Sequence, residues 1–175
     1  MISSSLKLGG AALRWALRFY ARHFWLVFGL SLIPTAQRFF VIRFGDVLPA
    51  PVSWGSEALT MAARVLLVYL LLRLMVAEFG PLSGKERWRL FTAGIDISLW
   101  RFLLQFAWLG VAFVIFDVLP ELLMPQWFPK EVFVAVKNPT VIAMTLLWMA
   151  GVGRELMRSA LAVDDFAGGL TGQRV

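Results

Sequence analysis

The chain has 175 residues, of which 59% are hydrophobic and 16% are charged, and its mean hydropathy is +0.74. Soluble globular domains are closer to about half apolar and about a quarter charged, so this composition excludes an ordinary soluble domain. The net charge is +6 and cysteine is absent, which excludes disulfides and thiolate metal sites. We therefore expect an all-α integral membrane protein.

The N-terminal segment, residues 4–23, has the pattern of an amphipathic helix. Its basic residues recur at spacings of seven and four, which aligns them on one stripe of a helix. They are Lys7, Arg14, Arg18 and Arg22, and a second stripe consists of Leu6, Leu13, Leu17, Tyr20 and Phe24. The pattern predicts a helix in the membrane interface whose four basic side chains contact anionic phospholipid headgroups. The alternative is that these charges only flank the first membrane span.

Four longer apolar segments follow. A helix of about 20 apolar residues crosses a bilayer core of about 30 Å. We expect such spans at residues 24–44, 58–79, 97–119 and 139–157. Together with the N-terminal helix they are expected to form one domain over residues 1–165, followed by a flexible tail over residues 166–175.

Prolines set the expected ends of these helices. The link at residues 45–56 contains two prolines and two glycines and is expected to break the helix. Residues 120–138 are expected to form short helices or an extended stretch on the outer face, with a re-entrant element as the alternative. The last span is expected to begin with Asn138 as N-cap and Pro139 at its first position. Alternatively it begins near Val132, with Lys137 and Pro139 inside it.

The basic residues indicate the orientation of the spans. Ten of them lie in segments that four spans place on one side of the membrane, and three lie in segments on the other side. The first group is Lys7, Arg14, Arg18, Arg22, Lys85, Arg87, Arg89, Arg154, Arg158 and Arg174, and the second is Arg43, Lys130 and Lys137. Because cytoplasmic loops carry the excess of lysine and arginine, both termini are expected in the cytoplasm of a cell (inner or plasma) membrane.

Six polar side chains within the expected spans are candidates for interactions inside the membrane. They are Arg38, Arg64, Arg73, Arg101, Gln105 and Asp117. A charge at the bilayer centre costs at least about 2.5–3.5 kcal/mol, so these side chains are expected to face other helices, a water-filled cavity or a partner protein. We expect Gln105 to bond to Arg73, Arg101 to lie near Glu78, and Asp117 to pair with Arg64 or Arg38.

Two further spacings bear on how the spans pack. Arg64 and Arg73 are nine residues apart and leave opposite faces of one helix, so at least one of them is expected to snorkel to headgroups or to face a partner. Gly151 and Gly153 are expected to allow a close approach of two helix backbones.

The sequence carries no pattern typical of an enzyme. His23 is the single histidine, and the motifs of hydrolases, phosphate-binding loops and metalloproteases are absent. We expect no catalytic residue, cofactor or metal, and no nucleic-acid partner, because the cations lie beside apolar runs. The first hypothesis is a non-catalytic accessory or assembly subunit that binds partner helices and anionic lipid. The alternatives are a small homo-oligomeric channel or transporter for an anionic solute and, third, an enzyme acting on a lipid-linked substrate.

Overall fold

The computed structural model describes residues 2–44, 49–125 and 127–171, with the backbone alone for Ile2, Asp117 and residues 165–171. Within these residues all regular structure is helical, and no strand occurs. The helices are α1 (Ile2–Arg22), α2 (Phe24–Phe44), α3 (Ala50–Ala77), α4 (Gly84–Phe113), α5 (Leu119–Leu123), α6 (Lys130–Lys137) and α7 (Ala143–Thr171). Two π-helical segments, Val114–Val118 and Asn138–Ile142, join α4 to α5 and α6 to α7.

Four of the continuous helices are long and apolar enough to cross a membrane. They are α2, α3, the α4–α5 helix over Gly84–Leu123, and the α6–α7 helix over Lys130–Asp164. This arrangement fits a multi-pass membrane protein and confirms the predicted number of apolar helices. Helix α7 is described as far as Thr171, within the segment where the sequence predicted a loose tail. The rest of that tail, residues 172–175, and residues 45–48 of the first link lie outside the described residues.

Helices α3 and α4 begin earlier than the sequence pattern predicted. The helix that contains the span predicted from residue 58 begins at Ala50 with a proline in its first turn, where the missing N–H removes no helical hydrogen bond. The helix that contains the span predicted from residue 97 begins at Gly84 with a capping box and is interrupted at Ser98, next to the predicted start. In this box the Ser83 hydroxyl accepts from the Glu86 N–H at 3.2 Å, and the Glu86 carboxylate accepts from the Ser83 N–H at 2.7 Å.

Two prolines that were expected to end helices lie within continuous ones. Pro120 lies two residues after the end of one π-helical segment, and Pro139 lies inside the other. A π turn widens the hydrogen-bond ladder and so accommodates a residue that lacks an N–H and whose ring crowds the preceding carbonyl. The prediction of Asn138 as an N-cap is wrong, since its φ of −61° and ψ of −53° are helical. The alternative start near Val132 is confirmed, because the final helix begins at Lys130.

The core lies where α1, α3 and α4 meet the last long helix. Helix α1 packs along α7 and the nearby part of α4, and α2 packs between α3 and the α6–α7 helix. Helix α4 is interrupted at Ser98, where φ of −131° and ψ of 24° are not helical. Beyond this interruption Phe102 still packs against the cluster of Ala12, Val152 and Leu156, but only 6% of the most apolar 18-residue window of the α4–α5 helix is buried. The rest of the chain therefore leaves most of this apolar window exposed.

Glycines allow the closest helix contacts. A Cβ atom on Gly94 of α4 would lie 2.6 Å from the carbonyl carbon of Leu156 in α7. A Cβ atom on Gly151 of α7 would lie 2.8 Å from the carbonyl oxygen of Ala12 in α1. The predicted close approach at Gly151 is confirmed, whereas a Cβ atom on Gly153 would meet only ordinary contacts. Because Gly94 and Gly151 have no side chain, the backbones of α4 and α1 lie in direct contact with the backbone of α7.

Helix α1 has three faces rather than the two that its pattern predicted. The buried face consists of Ser5, Ala12, Trp15, Ala16 and Phe19. Part of the predicted apolar stripe, Leu6, Leu13 and Leu17, is instead exposed at 51%, 44% and 54%. The basic stripe is also exposed, and at about 100° per residue the three faces lie roughly 120° apart. The helix thus offers a packing face, an exposed leucine face and a basic face.

Candidate anion site and exposed arginines

Arg154 of α7 is the centre of an ion-pair cluster between three helices. Its side chain is 10% exposed. The guanidinium donates from Nε to Glu78 Oε2 at 2.6 Å and from Nη1 to Glu155 Oε1 at 2.6 Å. Charge-assisted bonds of this length are among the stronger polar contacts in proteins. Arg154 therefore joins α7 to the end of α3, where Glu78 lies.

Trp15 brings α1 into the same cluster. Its indole Nε1 donates to Glu78 Oε1 at 2.9 Å, so both carboxylate oxygens of Glu78 are bonded. The Arg154 guanidinium carbon also lies 5.6 Å from the centre of the Trp15 ring, within the range of a cation–π contact. We call Trp15, Glu78, Arg154 and Glu155 the ion-pair cluster. It fixes the N-terminal helix to the ends of two long helices.

The local backbone explains why Glu78 is available to this cluster. Glu78 is the C-cap of α3, and the turn after it contains Gly80 at φ 79°, a left-handed conformation that favours glycine. Burial raises the pKa of Glu78, but the hydrogen bonds from Trp15 and Arg154 and the charges of Arg154 and Arg158 outweigh burial. The net effect is that the pKa of Glu78 lies below its ordinary value, so the carboxylate is ionised at neutral pH.

A polar cavity of about 330 Å³ lies beside the ion-pair cluster, between α1 and α7. Five arginines line it, and they are Arg14, Arg18, Arg22, Arg154 and Arg158. Glu78 and Glu155 are the two carboxylates in its wall, so the lining carries three net positive charges. Both carboxylates bond to Arg154. Of the other four guanidinium groups, Arg158 alone lies within ion-pair distance of a described carboxylate, at 3.9 Å from Glu155.

The basic face of α1 supplies three of these arginines. Among the described side chains, no carboxylate lies within ion-pair distance of Arg14, Arg18 or Arg22. The Arg18 Nε donates to the Arg14 carbonyl oxygen at 3.2 Å, which holds its guanidinium along the helix. Lys7, the fourth residue of the predicted lipid-contact set, does not line the cavity. The arrangement is suited to an anion that is held by several guanidinium groups at once.

Gln105 does not make the bond predicted from the sequence. Its amide Nε2 donates to the Ser5 hydroxyl at 2.9 Å and to the Ser5 carbonyl at 3.1 Å. The predicted pairing with Arg73 is therefore wrong, because α1 packs against α4 at this level and covers Gln105 completely. The predicted grouping of Arg101 with Glu78 is also wrong, since Glu78 bonds to Trp15 and Arg154 instead.

The four arginines within the apolar helices lie on the surface of the chain. Arg38, Arg64, Arg73 and Arg101 are all exposed, and none of them has an ion pair among the described side chains. The side chain of Asp117, the predicted partner of Arg64 or Arg38, lies outside the described residues. These four arginines therefore do not share a buried site within the chain.

Sequence reasoning missed the residues that build the ion-pair cluster. Arg154 was counted only among the basic residues on one side of the membrane, and Trp15 was not singled out. A usable signal was present in Glu78, which is an acid at the end of an apolar helix and lies in a segment predicted to be on the same side as Arg154. The contact itself depends on which helices are neighbours, and no spacing along the chain gives that.

A second cavity, of about 910 Å³, lies between the C-terminal half of α4 and the beginning of α7. Apolar side chains such as Phe106, Phe113 and Trp148 dominate its wall, and Leu13 of α1 also lines it.

Comparison of the chain with protein-family models, with curated proteins and with solved structures gives no match.

Proposed function

We propose that the chain is a non-catalytic accessory subunit of a larger complex in the cell membrane, that it spans the bilayer four times, and that it binds partner helices through α3. The observation that carries the proposal is Arg73, an exposed guanidinium in an apolar helix with no anion beside it among the described side chains. A partner that supplies a carboxylate within the membrane explains why the arginine is there.

The dimensions of α3 support insertion in a bilayer. Glu57 and Glu78 enclose residues 58–77, whose charged members are Arg64 and Arg73. At a rise of about 1.5 Å per residue this stretch is about 30 Å long, which is the thickness of a bilayer core. Large apolar side chains are exposed along it, among them Val65 at 61% and Tyr69 at 57%. Lipid is the medium in which such a surface is stable.

Contacts between the helix ends support both termini lying on one side. Arg154 bonds to Glu78 and Arg89 bonds to Asp164, at 2.6 and 2.7 Å, so the end of α3 and the start of α4 lie near the C-terminal part of α7. These segments carry the excess of basic residues, which favours the cytoplasmic side. On the opposite side Arg43 at the end of α2 lies 3.6 Å from Glu131 of α6.

Arg73 occupies the face of α3 that points away from the rest of the chain. The buried stripe of α3 consists of Thr60, Ala63, Leu67, Leu71 and Met75. Arg73 follows Leu71 by two residues, a rotation of about 200° around the helix. The guanidinium is therefore directed at whatever covers the outer face of α3, which in the proposed complex is a partner helix.

The direction of helical side chains distinguishes Arg73 from Arg64. Side chains on a helix lean towards its N-terminus. Arg64 lies about 5 Å from the middle of the apolar stretch on its N-terminal side, so it leans towards the nearer headgroups and snorkels easily. Arg73 lies about 8 Å from the middle on the C-terminal side and leans back towards the bilayer centre. Arg73 gains more from an acidic partner.

Replacement of Arg73 by leucine tests the proposal. The tagged chain is purified from native membranes in a mild detergent, and co-purified proteins are quantified by mass spectrometry. We expect Arg73→Leu to lower recovery of the partner at least about ten-fold, because loss of one side of a desolvated ion pair weakens binding by more than about 1.4 kcal/mol. Arg73→Lys keeps the charge and is expected to retain part of the partner.

Arg64→Leu is the matched control, because it removes the same charge from the same helix at a position that reaches headgroups. We expect its recovery of the partner to equal that of the unchanged chain. Equal recovery for Arg73→Leu and the unchanged chain, or purification of the unchanged chain as a partner-free monomer, contradicts the proposal.

A further inference from the structure

We propose that the cavity between α1 and α7 binds the phosphate of an anionic phospholipid headgroup, with Arg14, Arg18 and Arg22 as its direct ligands and Arg158 on the opposite wall. The inference depends on the membrane insertion proposed above but not on any partner subunit. It assigns lipid binding to a specific cavity rather than to the general attraction of a basic helix for anionic lipid.

The charge of the cavity is the first argument. Its lining holds five guanidinium groups and two carboxylates. Glu78 and Glu155 both bond to Arg154 at 2.6 Å, so this arginine is neutralised within the chain. Arg14, Arg18 and Arg22 have no described carboxylate within ion-pair distance. Like charges that face one concave space repel each other, and an anion between them removes the repulsion.

The rigidity of the walls is the second argument. The ion-pair cluster holds α1 against α7 beside the cavity, and Trp15 and Phe19 of the cavity wall are each 5% exposed. The arginines of α1 therefore project from a helix that is fixed in position. Guanidinium groups on a fixed scaffold lose less conformational freedom when they bind a phosphate, and each of them can donate two hydrogen bonds to it.

The level of the cavity in a membrane-inserted chain identifies a lipid as the source of the phosphate. Glu78 in its wall lies at the end of the apolar stretch of α3, where headgroups meet the bilayer core. A phospholipid at this level can place its headgroup against Arg14, Arg18 and Arg22 while its acyl chains stay in the bilayer core. The site also lies on the side of the chain with the basic excess, where anionic lipid is attracted by about 1 kcal/mol per basic residue.

Native mass spectrometry of the purified chain tests this inference. The chain is titrated with phosphatidylglycerol in mild detergent, and the dissociation constant is obtained from the bound fraction. We expect the double variant Arg18→Gln with Arg22→Gln to raise the dissociation constant at least about ten-fold, because two direct phosphate ligands are lost. The variant with Arg14→Gln and Arg22→Gln gives the same comparison if the first pair lowers the yield of folded protein.

The control removes the same amount of charge outside the cavity. Lys85→Gln with Arg87→Gln changes two exposed basic residues that do not line it. General attraction between a basic protein and anionic lipid predicts equal loss in both double variants, whereas a built site predicts a change of no more than about three-fold in the control. Equal losses overturn the inference.

Glycerol 3-phosphate distinguishes a lipid from a free phosphate ester. It presents the phosphate without the acyl chains, so we expect it to compete weakly with phosphatidylglycerol. Binding of glycerol 3-phosphate as tight as that of the lipid overturns the assignment to a lipid. Because the purified chain is used alone, failure of this test is separate from failure of the Arg73 experiment.

Discussion

Replacement of Gly94 by alanine will lower the free energy of unfolding by about 3 kcal/mol, at the upper end of the usual effect of overpacking. A Cβ atom at this position would lie 2.6 Å from the Leu156 carbonyl carbon. This carbonyl belongs to the backbone of α7, so no side-chain rotation relieves the contact, and α4 must move away from α7. Thermal unfolding in detergent, followed by circular dichroism, measures the loss.

Gly110→Ala is the matched control for this experiment. Gly110 lies on the same helix, and no heavy atom lies within 4 Å of the Cβ it would gain. Alanine is the better helix former, so this variant is expected to gain about 0.5–1 kcal/mol or to stay unchanged. Equal melting temperatures for Gly94→Ala and Gly110→Ala would show that α4 and α7 do not meet at Gly94.

Removal of the Arg154 side chain is the second large effect. Arg154→Leu leaves Glu155 without its closest partner and leaves Glu78 with Trp15 alone. Breaking a fully buried ion pair costs about 3–5 kcal/mol. Because the side chains of Glu78 and Glu155 are 31% and 19% exposed, solvent recovers part of that energy. We expect the free energy of unfolding to fall by about 2–3 kcal/mol, as measured by urea or thermal unfolding.

Arg158 supplies the comparison for Arg154. It lies one turn further along α7, its side chain is 56% exposed, and its Nη1 is 3.9 Å from Glu155 Oε1. Arg158→Leu is expected to change stability by no more than about 1 kcal/mol, which is the usual range for surface ion pairs. In the Arg154→Leu background, a second change of Glu78→Gln is expected to cost little or to restore stability, because it removes a stranded charge. An Arg154→Leu loss no larger than that of Arg158→Leu contradicts the role of the ion-pair cluster.

The number of long apolar helices was predictable because burial in lipid requires one apolar run per span, whatever the neighbouring helices are. Their ends were harder to predict. Pro120 and Pro139 were interpreted as helix ends, but π-helical turns accommodate both. Ser83 and Glu86 form the spacing of a capping box, so the start of α4 was present in the sequence and was overlooked.

Partners in three dimensions were not predictable in the same way. Helix α1 shows one apolar and one basic stripe, yet it packs through a third face of small and aromatic residues. Small residues such as Ala12 and Ala16 contribute little to a hydrophobic pattern. Their role in helix packing is evident only in the structure, where Gly151 of α7 lies against the backbone of Ala12. For the same reason the sequence pairs Gln105 with the wrong helix. It shows the basic stripe of α1 but not the cavity that this stripe forms with α7.

We propose that four spans place both ends of the chain in the cytoplasm. The chain contains no cysteine, so single cysteines can be placed without disturbing a native thiol. The measurement is labelling of Ser3→Cys, Lys85→Cys, Trp127→Cys and Val163→Cys by a membrane-impermeant maleimide in intact cells. We predict that Trp127→Cys alone is labelled, and that the other three react only after the membrane is permeabilised. Labelling of Ser3→Cys but not Val163→Cys, or of Val163→Cys but not Ser3→Cys, in intact cells would show that the two ends lie on opposite sides of the membrane.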